Sequence, residues 1–154
     1  MLSLSFMGLD EAKSAARSLG VDLRSMREPL KRAVKDVMLP SFHQNFDSEG
    51  RPSWTPAARS YGHSLLHDSG RLENGATVLG NWDFDRERAQ LNPASLVSRV
   101  GVKIIHQTGF SRKTRKGVHT IPARPFIMMQ AEDEEKIEQI FDDWLNERVA
   151  RRWG

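Results

Sequence analysis

The chain has 154 residues, of which 38% are apolar, and it contains no cysteine. A chain of this length can bury a core without metals or disulfides, and the missing cysteines exclude a disulfide scaffold, cysteine-ligated metal sites and thiol catalysis. The formal net charge of +3 is too small to indicate nucleic-acid binding by itself.

The first 47 residues are predicted to be helical. Asp10 can cap a short helix over residues 11–19, and a second apolar stripe recurs every three or four residues from Leu23 onwards. Pro29 interrupts this stripe, so the helix either kinks there or a new helix begins with Pro29 in its first turn. Pro40 poses the same question nearer the end of this N-terminal region.

Residues 48–130 are predicted to be rich in loops and short strands. Strands are expected in three apolar stretches, residues 76–80, 95–105 and 126–129. The polar residues 82–92 are predicted to be a connection, and the basic, glycine-containing residues 111–120 a mobile loop.

Residues 131–152 are predicted to form an amphipathic C-terminal helix. Its apolar residues share one helical face: Ile137, Ile140, Phe141, Trp144, Leu145 and Val149. Acids at its start and arginines at its end match the helix dipole. We therefore predict an α+β fold in one domain, residues 1–154, with N-terminal helices and the C-terminal helix packed on a small, mainly antiparallel β-sheet.

Motifs for catalysis or metal binding are weak in this chain. His63 and His67 are spaced for one helical face but lack a zinc-protease pattern, and His106 has no identifiable nucleophile or acid beside it. We therefore expect no enzymatic activity, no metal site and no cofactor. No run of 18 apolar residues exists, and residues 1–9 do not resemble a secretory signal, so no membrane association is expected.

Charge is polarised along the last third of the chain. Eight acids and one lysine lie within residues 132–147. Four cations lie within five residues of the predicted loop: Arg112, Lys113, Arg115 and Lys116. Such a cluster either contacts phosphates or an acidic partner, or is only a solvated loop. No aromatic residue is interleaved with it, so it offers no stacking platform for single strands.

Four stretches occur together in a characteristic order. They are residues 46–54 (FDSEGRPSW), 65–72 (LLHDSGRL), 100–109 (VGVKIIHQTG) and 121–126 (IPARPF). In order and spacing they resemble the phage virion morphogenesis family, also described as tail completion proteins of Mu-like tailed phages. The resemblance covers roughly residues 22–150, and four motifs in order are more specific than any one alone.

This resemblance implies a non-enzymatic part of a virion. Such a protein would complete the tail or join it to the filled head, at the neck or head-proximal end of the tail, after assembly in the host cytoplasm. A homo-oligomeric ring, with a hexamer favoured by the sixfold symmetry of tails, and contacts with other neck and tail proteins are expected. The four cations would then face genomic DNA in the channel or an acidic neighbour.

The motifs also supply candidate interface or structural residues: Trp54, Gly70, Arg71, His106, Gln107, Arg124 and Phe126. Pro122 and Pro125 hold Arg124 rigidly, and we expect a salt bridge from Arg124 to an acid of the same or a neighbouring subunit. An alternative of another class is a small basic nucleic-acid-binding module that uses residues 112–116.

Overall fold

The computed structural model describes residues 3–4, 14, 17, 26–57, 62, 64–66, 69–96 and 102–153. These residues combine helices with two small antiparallel sheets and end in a long helix, which confirms the predicted α+β class. The helix predicted over residues 11–19 lies almost entirely outside the described residues.

The N-terminal helical region is one continuous helical stretch with a change of register in the middle. It consists of α1 (Arg27–Ala33), a π-helical turn (Val34–Met38) and α2 (Leu39–Asp47). Pro29 lies in the first turn of α1, where its missing N–H is not needed. Pro40 has no N–H to donate to a carbonyl one turn earlier. The π-helical turn before it changes the hydrogen-bond register, so that the Leu39 N–H bonds to the Val34 carbonyl.

After α2 the chain forms a short helix, α3 (Arg71–Thr77), and then two of the three strands of a small sheet. The third strand of that sheet comes from the start of the chain. The strands of the sheet are β1 (Ser3–Leu4), β2 (Trp82–Phe84) and β3 (Ala89–Leu91), in the antiparallel order β1-β3-β2. The strand predicted over residues 76–80 is wrong, because the end of α3 and a 3₁₀ turn occupy it. The connection predicted over residues 82–92 is a hairpin instead, since Trp82, Ala89 and Leu91 bury their side chains.

The chain then forms α4 (Val102–Thr108) and a second hairpin, β4 (Phe110–Thr114) with β5 (Gly117–Ile121). The strands predicted over residues 95–105 are therefore wrong wherever this stretch is described: a 3₁₀ turn and α4 take their place. The basic loop predicted over residues 111–120 is also wrong, because these residues pair in register along the hairpin. The strand predicted over residues 126–129 is irregular chain.

The C-terminal helix α5 (Ala131–Trp153) confirms the prediction for this segment. Ile137, Phe141 and Trp144 are buried, and α1 packs against α5 as well as against the β2–β3 hairpin. The buried apolar residues of the described chain form one cluster, in which Phe42, Phe46 and Phe126 are among the largest fully buried side chains. None of the described helices has the length and apolar character needed to cross a membrane.

The buried face of α5 yields a matched pair of substitutions. Ile137→Ala should lower the free energy of unfolding by about 2–5 kcal/mol, because it leaves a cavity where α5 meets the core. Glu138→Ala, one residue away and exposed, should change it by less than about 0.5 kcal/mol. Denaturant unfolding followed by circular dichroism measures both, and equal values would contradict the described packing of α5.

Candidate functional site

The segment over residues 122–130 contributes buried side chains without forming a strand. Phe126 and Ile127 are buried, so their backbone groups need hydrogen-bond partners inside the protein. The side chain of Gln107 supplies them: its carbonyl oxygen accepts the N–H groups of Phe126 and Ile127 at 3.0 Å each, and its amide donates to the Ile127 carbonyl at 3.0 Å. Gln107 thus substitutes for a neighbouring strand.

Two further side chains satisfy carbonyls of the same segment. Asn45, fully buried on α2, donates from its amide to the carbonyls of Phe126 at 3.1 Å and Met128 at 2.9 Å. The indole N–H of Trp54 donates to the Pro125 carbonyl at 3.1 Å. Sequence reasoning missed Asn45, because a single asparagine in a helix carries no local signal for a partner about 80 residues away.

Arg51 holds the turn between α2 and Trp54, and it too was missed. Its guanidinium donates to Asn45 Oδ1 at 2.9 Å, to Gln44 Oε1 at 2.8 Å and to the Ser41 carbonyl at 3.0 Å. Gly50 precedes it with a φ of +98°, and a Cβ at Gly50 would overlap the Trp54 ring. The tight turn therefore requires both Gly50 and Trp54, because the ring occupies the space that a side chain at position 50 would need.

Trp54 and Phe126 belong to the core of this chain. The Trp54 ring meets Phe46 edge-on, with centroids 5.9 Å apart, and Phe46 lies 5.4 Å from Phe126. Trp54 is 5% exposed and Phe126 is 1% exposed. The sequence left open an interface role or a structural role for these two residues. Both side chains pack inside the chain rather than on its surface.

Arg124 bonds to backbone carbonyls. Its guanidinium donates to the Thr55 carbonyl at 3.0 Å and to the Pro56 carbonyl at 3.3 Å, and its own N–H donates to the His106 carbonyl at 2.6 Å. Within the described part of the chain, Arg124 forms no salt bridge, so the intrachain form of that prediction is wrong and the form that involves a neighbouring subunit stays a prediction. The reason is geometric, because the buried guanidinium is aimed at the irregular chain after Trp54.

His106 is half-buried beside this arginine. Burial lowers the pKa of His106 below its usual value, and the nearby positive charge of Arg124 lowers it further. Its Nδ1 atom is buried and has no hydrogen-bond partner among the described residues. The lowered pKa favours the neutral form of the imidazole near pH 7.

Gly70 and Arg71 lie at the start of α3. Gly70 adopts the left-handed conformation with a φ of +66° and serves as the N-cap residue, and Arg71 is the exposed first residue of the helix. Gly70 therefore sets the direction in which Leu72 enters the core.

A histidine and two carboxylates that sequence reasoning missed join α2 to α3. His43 bonds through Nδ1 to the Glu73 carboxylate, and its Nε2 lies 3.5 Å from Asp47 Oδ2. Their potential ligand atoms lie within 4.8 Å of one another, a donor set that suits a divalent cation. Because the imidazole already bridges the two carboxylates, we describe the group as a contact between the two helices.

The four predicted cations lie on and beside the tip of the β4–β5 hairpin. Arg112 and Lys113 are on β4, opposite His119 and Val118, while Arg115 and Lys116 form the turn. Nearly all residues of the hairpin are exposed, and Val118 is 69% exposed although it is apolar. Apart from Gly70 and Arg71, the predicted site residues therefore form two sets, one at or beside the buried residues 122–130 and one on this exposed hairpin.

Comparison with known proteins places the chain among phage proteins. The model of the phage virion morphogenesis family matches residues 8–146. A curated relative, the Mu-like prophage FluMu G protein 2 of Haemophilus influenzae, is 26% identical over 145 residues, which are 94% of this chain and 96% of the relative. No solved structure matches the chain.

The bonds made by Gln107 can be tested by substitution. Gln107→Leu should lower the free energy of unfolding by about 2–4 kcal/mol, because the backbone groups of Phe126 and Ile127 lose their partners. The exposed control Gln139→Leu should cost less than about 1 kcal/mol. Denaturant unfolding measures both, and a neutral Gln107→Leu would show that these bonds do not hold the segment.

The lowered pKa of His106 predicts that the stability of the chain depends on pH. Since its pKa is lowered in the folded chain, the unfolded chain takes up a proton first as the pH falls below about 6.5. The free energy of unfolding should therefore decrease as the pH falls through this range, and His106→Gln should remove that part of the decrease. Unfolding of both proteins at several pH values tests this, and identical pH dependences would contradict it.

Proposed function

The chain belongs to the phage virion morphogenesis family, and we propose that it acts in tail completion and head–tail joining at the neck of a tailed phage. Membership of this family supports a structural role in building the virion rather than a catalytic one. The curated relative that spans nearly its whole length is itself named as a Mu-like prophage protein.

The proposed mechanism is assembly through protein–protein contacts. Copies of the chain form a closed ring, with a hexamer favoured because tails have sixfold symmetry. The ring docks on other neck and tail proteins at the head-proximal end of the tail. A protein with this role needs a stiff body and exposed elements that reach its neighbours.

The observation that carries this proposal, beside the family, is the separation of the two sets of site residues. Gln107, Arg124 and Trp54 bind buried backbone and stiffen the body of the chain. The β4–β5 hairpin presents its cations to solvent, so its charge is available to another molecule.

A second candidate function uses the same hairpin on nucleic acid. Arg112, Lys113, Arg115 and Lys116 are exposed, and the hairpin contains no acid, so it could contact DNA phosphates in the channel of the neck or as a separate binding module. Binding of this kind weakens steeply with salt, by a slope that counts the phosphates contacted. Titration of a random-sequence duplex at several salt concentrations distinguishes it from a purely protein-binding role.

Deletion of the gene from its parent phage or prophage tests the proposed function. The lysate should contain DNA-filled heads and separate tails side by side in negative-stain micrographs, because the joint between them is missing. The wild-type gene supplied on a plasmid should restore joined particles. Tails of normal length would indicate a joining role, and overlong tails a role in terminating the tail.

Two other outcomes of this deletion would contradict the proposed function. Intact, infectious virions in the lysate of the deletion phage would contradict a structural role at the neck. Loss of heads or of all tails, with no separate mature parts, would place the protein at an earlier step of assembly and would equally contradict the proposal.

A further inference from the structure

Two exposed elements of this chain carry unbalanced charge of opposite sign. The first is the β4–β5 hairpin, whose four cations form no ion pair with any other residue that the structure describes: Arg112, Lys113, Arg115 and Lys116. Four like charges within five residues repel one another. The isolated chain therefore holds this hairpin at an electrostatic cost that an acidic partner would remove.

The second element is the exposed side of α5, here called the acidic face. It consists of seven exposed carboxylates with a single exposed lysine, Lys136, among them: Glu132, Glu134, Glu135, Glu138, Asp142, Asp143 and Glu147. Glu132 lies 3.6 Å from Arg51, and Glu147 lies 3.7 Å from Arg151. Within the described part of the chain, the central acids have no ion-pair partner.

The central acids form a row along the helix. Glu134, Glu138 and Asp142 follow one another at intervals of four residues, so their side chains lie one turn apart on the same side. Like charges at this spacing weaken a helix rather than support it. Glu134 lies in the first turn of α5, where the helix dipole favours an acid, but Glu138 and Asp142 have no such support within the helix and are available to a cationic partner.

We propose that the basic hairpin of one copy docks along the acidic face of α5 of the next copy. This deepens the ring assembly proposed above and rests on it. The two surfaces match in charge and in size, because Glu134 to Asp142 extends about 12 Å along the helix. Residues 112–116 extend roughly 10 Å at the end of the hairpin.

The contact joins two different surfaces, which determines the kind of assembly it forms. Each copy offers one hairpin and one acidic face, so every copy can bind one neighbour on each side. Such a heterologous contact builds a closed ring when its rotation closes. Because both surfaces are exposed and charged, the contact should weaken as salt is raised from about 50 mM to about 500 mM.

Charge reversal on each surface tests the proposal in the purified protein. The hairpin variant replaces all four cations, Arg112, Lys113, Arg115 and Lys116, by Glu, and the helix variant carries Glu134→Lys, Glu138→Lys, Asp142→Lys and Asp143→Lys, so that the net charge of each surface changes sign. Each should self-associate at least roughly 10-fold more weakly than the wild type at low salt, because like charges now meet at every contact. Analytical ultracentrifugation over a range of protein concentrations up to about 1 mM measures this.

Mixing the two variants provides the decisive comparison. The unchanged hairpin of the helix variant can bind the unchanged acidic face of the hairpin variant, and the two reversed surfaces can bind each other. An equimolar mixture, and a single chain with both reversals, should therefore recover self-association. A control variant with Arg86→Glu and Arg88→Glu, which reverses two exposed cations of the β2–β3 turn, should associate like the wild type.

A cross-link gives an independent measurement, since the chain has no cysteine of its own. Arg115→Cys and Glu138→Cys in one chain should form disulfides between copies on oxidation by air, giving covalent oligomers on a non-reducing gel. The control pair Arg86→Cys and Glu138→Cys should remain monomeric.

Several outcomes would overturn the proposal. They are a wild type that stays monomeric at about 1 mM, variants that associate normally, or reversed surfaces that fail to rescue each other. If the hairpin reversal instead abolishes binding to a DNA duplex and leaves self-association intact, the cations serve nucleic acid. In that case the deletion phage still tests the proposed neck function, because its phenotype does not depend on this contact. Failure of the contact and failure of the proposed function are therefore distinguishable.

Discussion

The fold depends on one constraint: the backbone of residues 122–130 is partly buried, and within the described part of the chain it pairs with no strand. Buried N–H and C=O groups must find partners, and here side chains provide them. Gln107 from α4, Asn45 from α2 and Trp54 from the following turn converge on this segment from separate parts of the sequence. These bonds tie the N-terminal helices, α4 and the approach to α5 into one network.

This network explains why the motif residues are buried rather than displayed. Arg124 and Gln107 have the chemistry of binding residues, but their donors and acceptors are used on carbonyls and N–H groups of the same chain. The groups available to other molecules lie elsewhere, on the basic hairpin and the acidic face of α5. A stiff body with two charged, exposed elements suits a member of the phage virion morphogenesis family, whose role lies in assembly.

Sequence reasoning was accurate for α5, a long helix with one buried face, and failed for the short strands and for the exposed hairpin. The apolar period of α5 is long enough to predict that helix almost to the residue. The β4–β5 hairpin has both faces exposed, so it lacks the alternation that marks a strand. The isoleucines of α4 have an intrinsic preference for strands, and the prediction followed that preference although the segment is helical. Asn45 and Arg51 could not be found, because their roles exist only once distant segments meet.

We propose that the body of the chain folds independently of the hairpin charges and that these charges connect it to its neighbours. The most direct test replaces Arg112, Lys113, Arg115 and Lys116 together by glutamine and supplies this variant to the deletion phage. We expect a thermal unfolding midpoint for the purified variant that is no lower than that of the wild type, and separate heads and tails in the lysate. Joined, infectious particles formed with this variant would contradict the account, because they would show that the hairpin cations connect nothing.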